Sequence, residues 1–88
     1  MKTTFAASFE RDLRRIQERR IRQAVLEIIG KVEAASHPGE IAGLKKLRAD
    51  GDYFRLRIGD YRLGFTIEGD VVRFVRLLHR SEIYRYFP

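Results

Sequence analysis

The stretch Tyr53-Phe54-Arg55-Leu56-Arg57-Ile58-Gly59-Asp60-Tyr61-Arg62-Leu63-Gly64-Phe65 decides the fold. Successive side chains of a strand point to opposite faces. Phe54, Leu56 and Ile58 therefore share one face, while Tyr53, Arg55 and Arg57 share the other. Gly59-Asp60 is a two-residue hairpin signal. Beyond it the alternation resumes, with Tyr61, Leu63, Phe65 and Ile67 turned inward and Arg62, Gly64 and Thr66 outward. Gly69-Asp70 repeats the turn signal and leads into a third strand, which predicts strands over 53–58, 61–67 and 71–78. In the third, Val72, Phe74 and Leu78 fall on one face and Val71, Val75 and Leu77 on the other, as in a central strand covered on both sides. One face of this meander is built for a core; the other carries arginines.

Upstream, residues 2–6 lean toward a first strand. Ser8 is placed to N-cap a helix whose positive end gains from Glu10 and Asp12. Phe9, Leu13 and Ile16 recur at helical spacing, and Ile21, Val25, Ile28, Ile29 and Val32 form the apolar stripe of a second helix. Residues 17–20 hold either a tight joint or a continuous helix. Ser36-His37-Pro38-Gly39 ends the helical region. The connector Gly43-Leu44-Lys45-Lys46-Leu47 is expected to tuck its leucines under the sheet, and Asp50-Gly51-Asp52 reads as a turn. A short helical turn from Ser81 closes the chain. Helices gathered ahead of an antiparallel sheet define an α+β fold. The expectation is two N-terminal helices on a mainly antiparallel four-stranded sheet, in a single domain over 1–88.

Eighteen basic against 12 acidic residues leave a net charge of +6, a balance that favours a polyanionic or acidic partner. The cations are mostly arginine, since only Lys2, Lys31, Lys45 and Lys46 are lysines. Arginine's planar fork suits bidentate phosphate contacts and stacking. The absence of cysteine excludes a disulfide scaffold and thiolate chemistry. No apolar run reaches the roughly 18 residues of a membrane span, so a cytoplasmic protein without membrane contact is expected. His37 and His79 are the only histidines, and nothing in their spacing implies a metal or cofactor site.

Antiparallel pairing sets Arg62 near Arg55 or Arg57, and like charges so placed call for an anion or for water. The bland alternative is a solvated face with arginine stems over apolar surface. His79 and Arg80 end the last strand, and Tyr84 follows on the next turn, where Tyr84, Tyr86 and Phe87 equally suit a hydrophobic latch. Arg11, Arg14, Arg15, Arg19, Arg20 and Arg22 make a basic helical face. Ile16, Ile21 and Leu26 exceed what one narrow stripe needs, which fits a groove for a partner helix.

Three segments in this order, Gly43–Leu47, Tyr53–Leu63 and His79-Arg80-Ser81-Glu82-Ile83-Tyr84, resemble the RelE/ParE superfamily of type II toxins, the last being closer to the RelE branch. The resemblance implies a ribosome-dependent mRNA endoribonuclease that needs no metal and is blocked by a cognate antitoxin, in an assembly that extends to a heterotetramer. By position it matches Arg55, Arg57 and Arg62 to the family's basic sheet-face residues, and Arg80 and Tyr84 to its C-terminal arginine and tyrosine. With His79 at the strand end as a further candidate, catalysis is expected of Arg62, Arg80, Tyr84 and His79, and RNA binding of Arg55, Arg57, Lys45 and Lys46. Similar toxins carry lysines on the strand where this chain has Arg55 and Arg57, which leaves the general base unassigned. Two other functions belong to the same resemblance: a ParE-like DNA gyrase inhibitor, and a catalytically degenerate toxin that acts only by binding protein.

Overall fold

A computed structural model describes residues 1–47 and 52–88. The three expected hairpin strands are present as β3 (Tyr53–Ile58), β4 (Tyr61–Glu68) and β5 (Val71–His79). Gly59 and Gly69 each open a two-residue turn at φ of 56° and 62°, a backbone region that glycine enters without a Cβ penalty. The first strand, β1 (Lys2–Phe5), lies parallel to β5, with Lys2 opposite Val71 and Phe5 opposite Phe74. Among the described residues the sheet has five strands rather than four, in the order β1-β5-β4-β3-β2. The additional strand, β2 (Lys45–Lys46), pairs antiparallel with β3. Two lysines have little strand propensity of their own; their pairing with Arg55 and Phe54 makes the strand. The Asp50-Gly51 part of the expected turn lies outside the described residues.

Helices α1 (Ala7–Arg15) and α2 (Arg19–Ala34) cover one face of the sheet. The joint between them is real, and Arg22 holds it by donating to the carbonyls of Leu13 (2.7 Å) and Ile16 (3.2 Å) at the end of α1. Phe9, Val25 and Val32 from the helices meet Leu56, Leu63, Phe65, Val72 and Phe74 from the sheet in one buried cluster. Each such side chain taken from water contributes about 1.5–3 kcal/mol. Leu44 packs against this cluster half-buried.

Two expectations need correction. Ser8 does not cap α1, whose N-cap is Ala6; the Ser8 hydroxyl instead donates to the Val75 carbonyl at 2.6 Å. The face assignment of β5 also changes. Gly64 pairs with Arg76 but Phe65 pairs with Phe74, so Val75 is an extra residue, a β-bulge. The bulge reverses the alternation beyond it. Leu77, not Leu78, joins the buried cluster, and His79 comes to lie opposite the core-facing Tyr61.

β1 ends opposite Phe74, and beyond it the outer edge of β5 has no strand neighbour among the described residues. Side chains of α1 take that role. Besides Ser8, the Asp12 carboxylate accepts the Leu77 N–H at 3.0 Å and holds Arg76 in two bonds of 2.8 and 3.2 Å. Asp12 is only 3% exposed. Backbone groups at a sheet edge need such partners.

Candidate functional site

Opposite the helices, the sheet carries rows of cations. Lys45 stands beside Arg55, Arg55 beside Gly64, and Gly64 beside Arg76; in the next row Arg57 faces Arg62. The C-terminal helical turn α3 (Ile83–Tyr86) crosses this face. Its aromatic residues follow the first row. The Tyr84 ring stacks on the Arg55 guanidinium at 4.6 Å, and the Tyr86 ring lies 5.6 Å from that of Arg76. Phe87 is buried over Gly64 and meets Tyr53 edge-on at 5.8 Å. The latch expected from these aromatic residues is therefore part of the site, because it roofs the arginines.

A cavity of about 220 Å³ is lined by Gly43, Lys45, Arg55, Arg57, Arg62 and Tyr84. A wider one of about 550 Å³ shares Lys45, Arg55 and Tyr84 with it and adds Lys46. Arg55 is buried beneath the phenol, and Arg57 is exposed. Arg62 donates to the carbonyls of Gly59 (3.0 Å) and Tyr61 (2.9 Å), which fixes its head over the β3–β4 turn and relieves part of its repulsion with Arg57. Among the described residues no carboxylate pairs with Arg55, Arg57 or Arg62. Four cations around one small opening, with a phenol at its rim, are suited to a phosphodiester. No group of three or more His, Cys, Asp or Glu among the described residues is arranged to hold a metal.

Two of the expected site residues lie elsewhere. His79 lines a separate cavity with Asp12 and Tyr61, and its ring meets Tyr61 edge-on at 5.7 Å. Its Nδ1 accepts the Ser81 N–H at 3.1 Å, which places the proton of the neutral ring on Nε2. The cause of this displacement is the bulge at Val75, which turns His79 to the helix side. Arg80 lies at the exit of β5, its N–H donating to the Asp60 carbonyl at 2.8 Å and its side chain 3.9 Å from the Asp60 carboxylate. It lines neither cavity on the cationic face. Gly43, Gly64 and Arg76 are site-forming positions that the sequence did not single out. The signal for Gly64 was present, a glycine among outward-facing residues at a strand centre.

A mixed sheet with paired helices on one side and a roofed cationic row on the other is the architecture of small type II toxins. The chain belongs to the RelE/ParE superfamily: residues 4–84 match the family described as ParE toxin of type II toxin-antitoxin system, parDE. It is 36% identical to Toxin RelE3 of Methanocaldococcus jannaschii over the full length of both. The fold is similar to that of the RelB-RelE antitoxin-toxin complex of Methanococcus jannaschii, with a TM-score of 0.81 and 34% identity over 97% of this chain and 99% of that one. The RelBE2 toxin-antitoxin complex of Mycobacterium tuberculosis matches with a TM-score of 0.71 and 29% identity over 90% of this chain and 96% of that one. The protein is a RelE-like toxin. No helix among the described residues is long and apolar enough to cross a membrane.

Proposed function

We propose that this toxin is a ribosome-dependent mRNA endoribonuclease that uses the RNA's own 2′-hydroxyl, and that a cognate antitoxin of the RelB kind blocks it. The observation that carries this reading is the gathering of Lys45, Arg55, Arg57, Arg62 and Tyr84 around one opening. In the reaction the 2′-oxygen gives its proton to a base and forms a bond to phosphorus. The bond from phosphorus to the 5′-oxygen breaks, and that oxygen takes up a proton. The products are a 2′,3′-cyclic phosphate and a free 5′-hydroxyl.

The arginines hold the charge that builds on the phosphoryl oxygens, where preorganised donors act most strongly. Proton transfer falls to Tyr84 and Lys45, because a guanidinium does not give up its proton. Lys45 thus supplies from β2 the amine that Arg55 and Arg57 cannot. Arg80 joins as a further cation once its exposed pair with Asp60 opens, at a cost of no more than about 1 kcal/mol. The ribosome holds the mRNA in a reactive geometry, which accounts for the small number of proton-transfer groups.

Primer extension on ribosome-bound transcripts tests the reading. Arg62→Ala and Arg57→Ala should each lower the cleavage rate about 10²–10³-fold. Tyr84→Phe keeps the ring over Arg55 but removes the hydroxyl, and should slow cleavage about 10²-fold or more. Full-rate cutting by folded Arg62→Ala and Tyr84→Phe would reject the assignment. The family match to ParE supports a second reading, inhibition of DNA gyrase, which predicts stalled replication with intact transcripts.

A further inference from the structure

A fourth cavity lies next to the cationic opening. It measures about 360 Å³, within the roughly 300–1,000 Å³ of sites that hold small organic groups. Ile28 of α2, Ile41 and Leu56 give it an apolar lining, and Lys31, Glu40 and Arg57 supply its charged groups. The two cavities adjoin. Arg57 lines both, and the consecutive residues Ala42 and Gly43 line one each. The Glu40 carboxylate is oriented by the Ser36 N–H at 2.6 Å.

The edge of β3 adds backbone chemistry. Leu47 N–H donates to the Tyr53 carbonyl, and Lys45 stands opposite Arg55, so the N–H and C=O of alternate residues 53, 55 and 57 point toward β2. β2 begins at Lys45, so no strand residue stands opposite Arg57. Its backbone donor and acceptor therefore face the junction of the two cavities, and no described backbone group pairs with them there.

We infer that this cavity receives an unpaired nucleobase of the RNA, next to the phosphodiester held by Arg55, Arg57 and Arg62. This rests on the nuclease reading and adds to it a determinant of cleavage sequence. An apolar slot with a few polar groups on its wall is what an unstacked base requires. A nucleotide also demands a cation within one phosphate of its base, and Arg57 satisfies that demand by lining both cavities. An antitoxin side chain is the other conceivable occupant. The two cations, Lys31 and Arg57, and the continuity with the phosphate opening favour RNA.

Ala42 is exposed, outside the buried cluster, and a larger side chain there narrows the cavity that it lines with Arg57, while Arg55 and Arg62 line only the neighbouring opening. The test maps every cut made by purified toxin on ribosomes programmed with one long transcript, for wild type, Ala42→Phe and Lys31→Ala. Results are expressed as ratios between sites, with circular dichroism as the folding control. Ala42→Phe should change the ratio of favoured to disfavoured sites by about ten-fold, the scale on which pocket shape discriminates. Lys31→Ala should shift the same ratio, and it decides the matter if Ala42→Phe does not fold. An unchanged cut pattern in both variants overturns the base pocket while leaving the nuclease intact. Weakened neutralisation by antitoxin with an unchanged pattern assigns the cavity to the protein partner and equally overturns it. Absence of cutting by the wild type removes the nuclease reading, and this inference with it.

Discussion

A methyl group on Gly64 would sit 2.6 Å from the Phe87 ring, so only glycine lets the C-terminal turn lie flat on the sheet. Gly64→Ala should push Phe87 out and cost roughly 1–3 kcal/mol, the usual range for an overpacked contact. Urea denaturation measures the loss, and an unaltered midpoint would show that Phe87 finds another seat. Asp12 makes the reverse point. In the sequence it reads as a helix-dipole acid beside Glu10, yet it is buried and binds both Arg76 and the Leu77 N–H. Asp12→Ala strands a partly covered guanidinium and a backbone donor, and should destabilise the protein by roughly 3 kcal/mol. A substitution within about 0.5 kcal/mol of wild type would mean the pair is dispensable. Ser8→Ala removes the single bond to the Val75 carbonyl and should cost about 1 kcal/mol in the same experiment.

Among the elements, those with strong internal pattern could be read in advance. The β3–β4–β5 meander follows from alternation and Gly-Asp turns, and α2 from its apolar stripe. Elements made by their neighbours could not. β2 exists because β3 offers it an edge. The bulge at Val75 arises where β5 passes from β1 to the side chains of α1, and nothing in Phe74-Val75-Arg76 announces it. One undetected residue was enough to exchange Leu77 with Leu78 and to carry His79 away from the cationic cavity. Arg55, Arg57, Arg62 and Tyr84, which lie before the bulge or on the turn after the strand, are brought together as their positions implied.

For the molecule as a whole, the proposed function makes charge decide how RNA is met. Lys45, Arg55, Arg57 and Arg62 face one opening, so RNA binding should weaken with salt. A single strand neutralised by four cations gives a log–log slope of about −3. Filter binding between low and moderate salt checks this, and a flat dependence would mean that the cations never meet phosphate together. The toxin family was legible in the sequence through its resemblance, but the roof of Tyr84 and Phe87 over the cations required tertiary structure.

The pairing of Lys2 with Val71 makes the opening strand of the chain wait for the closing one. Contacts so distant in sequence form late in folding. The parallel edge of the sheet therefore closes only once residues 71–74 have been made, after both helices and the first two strands of the meander.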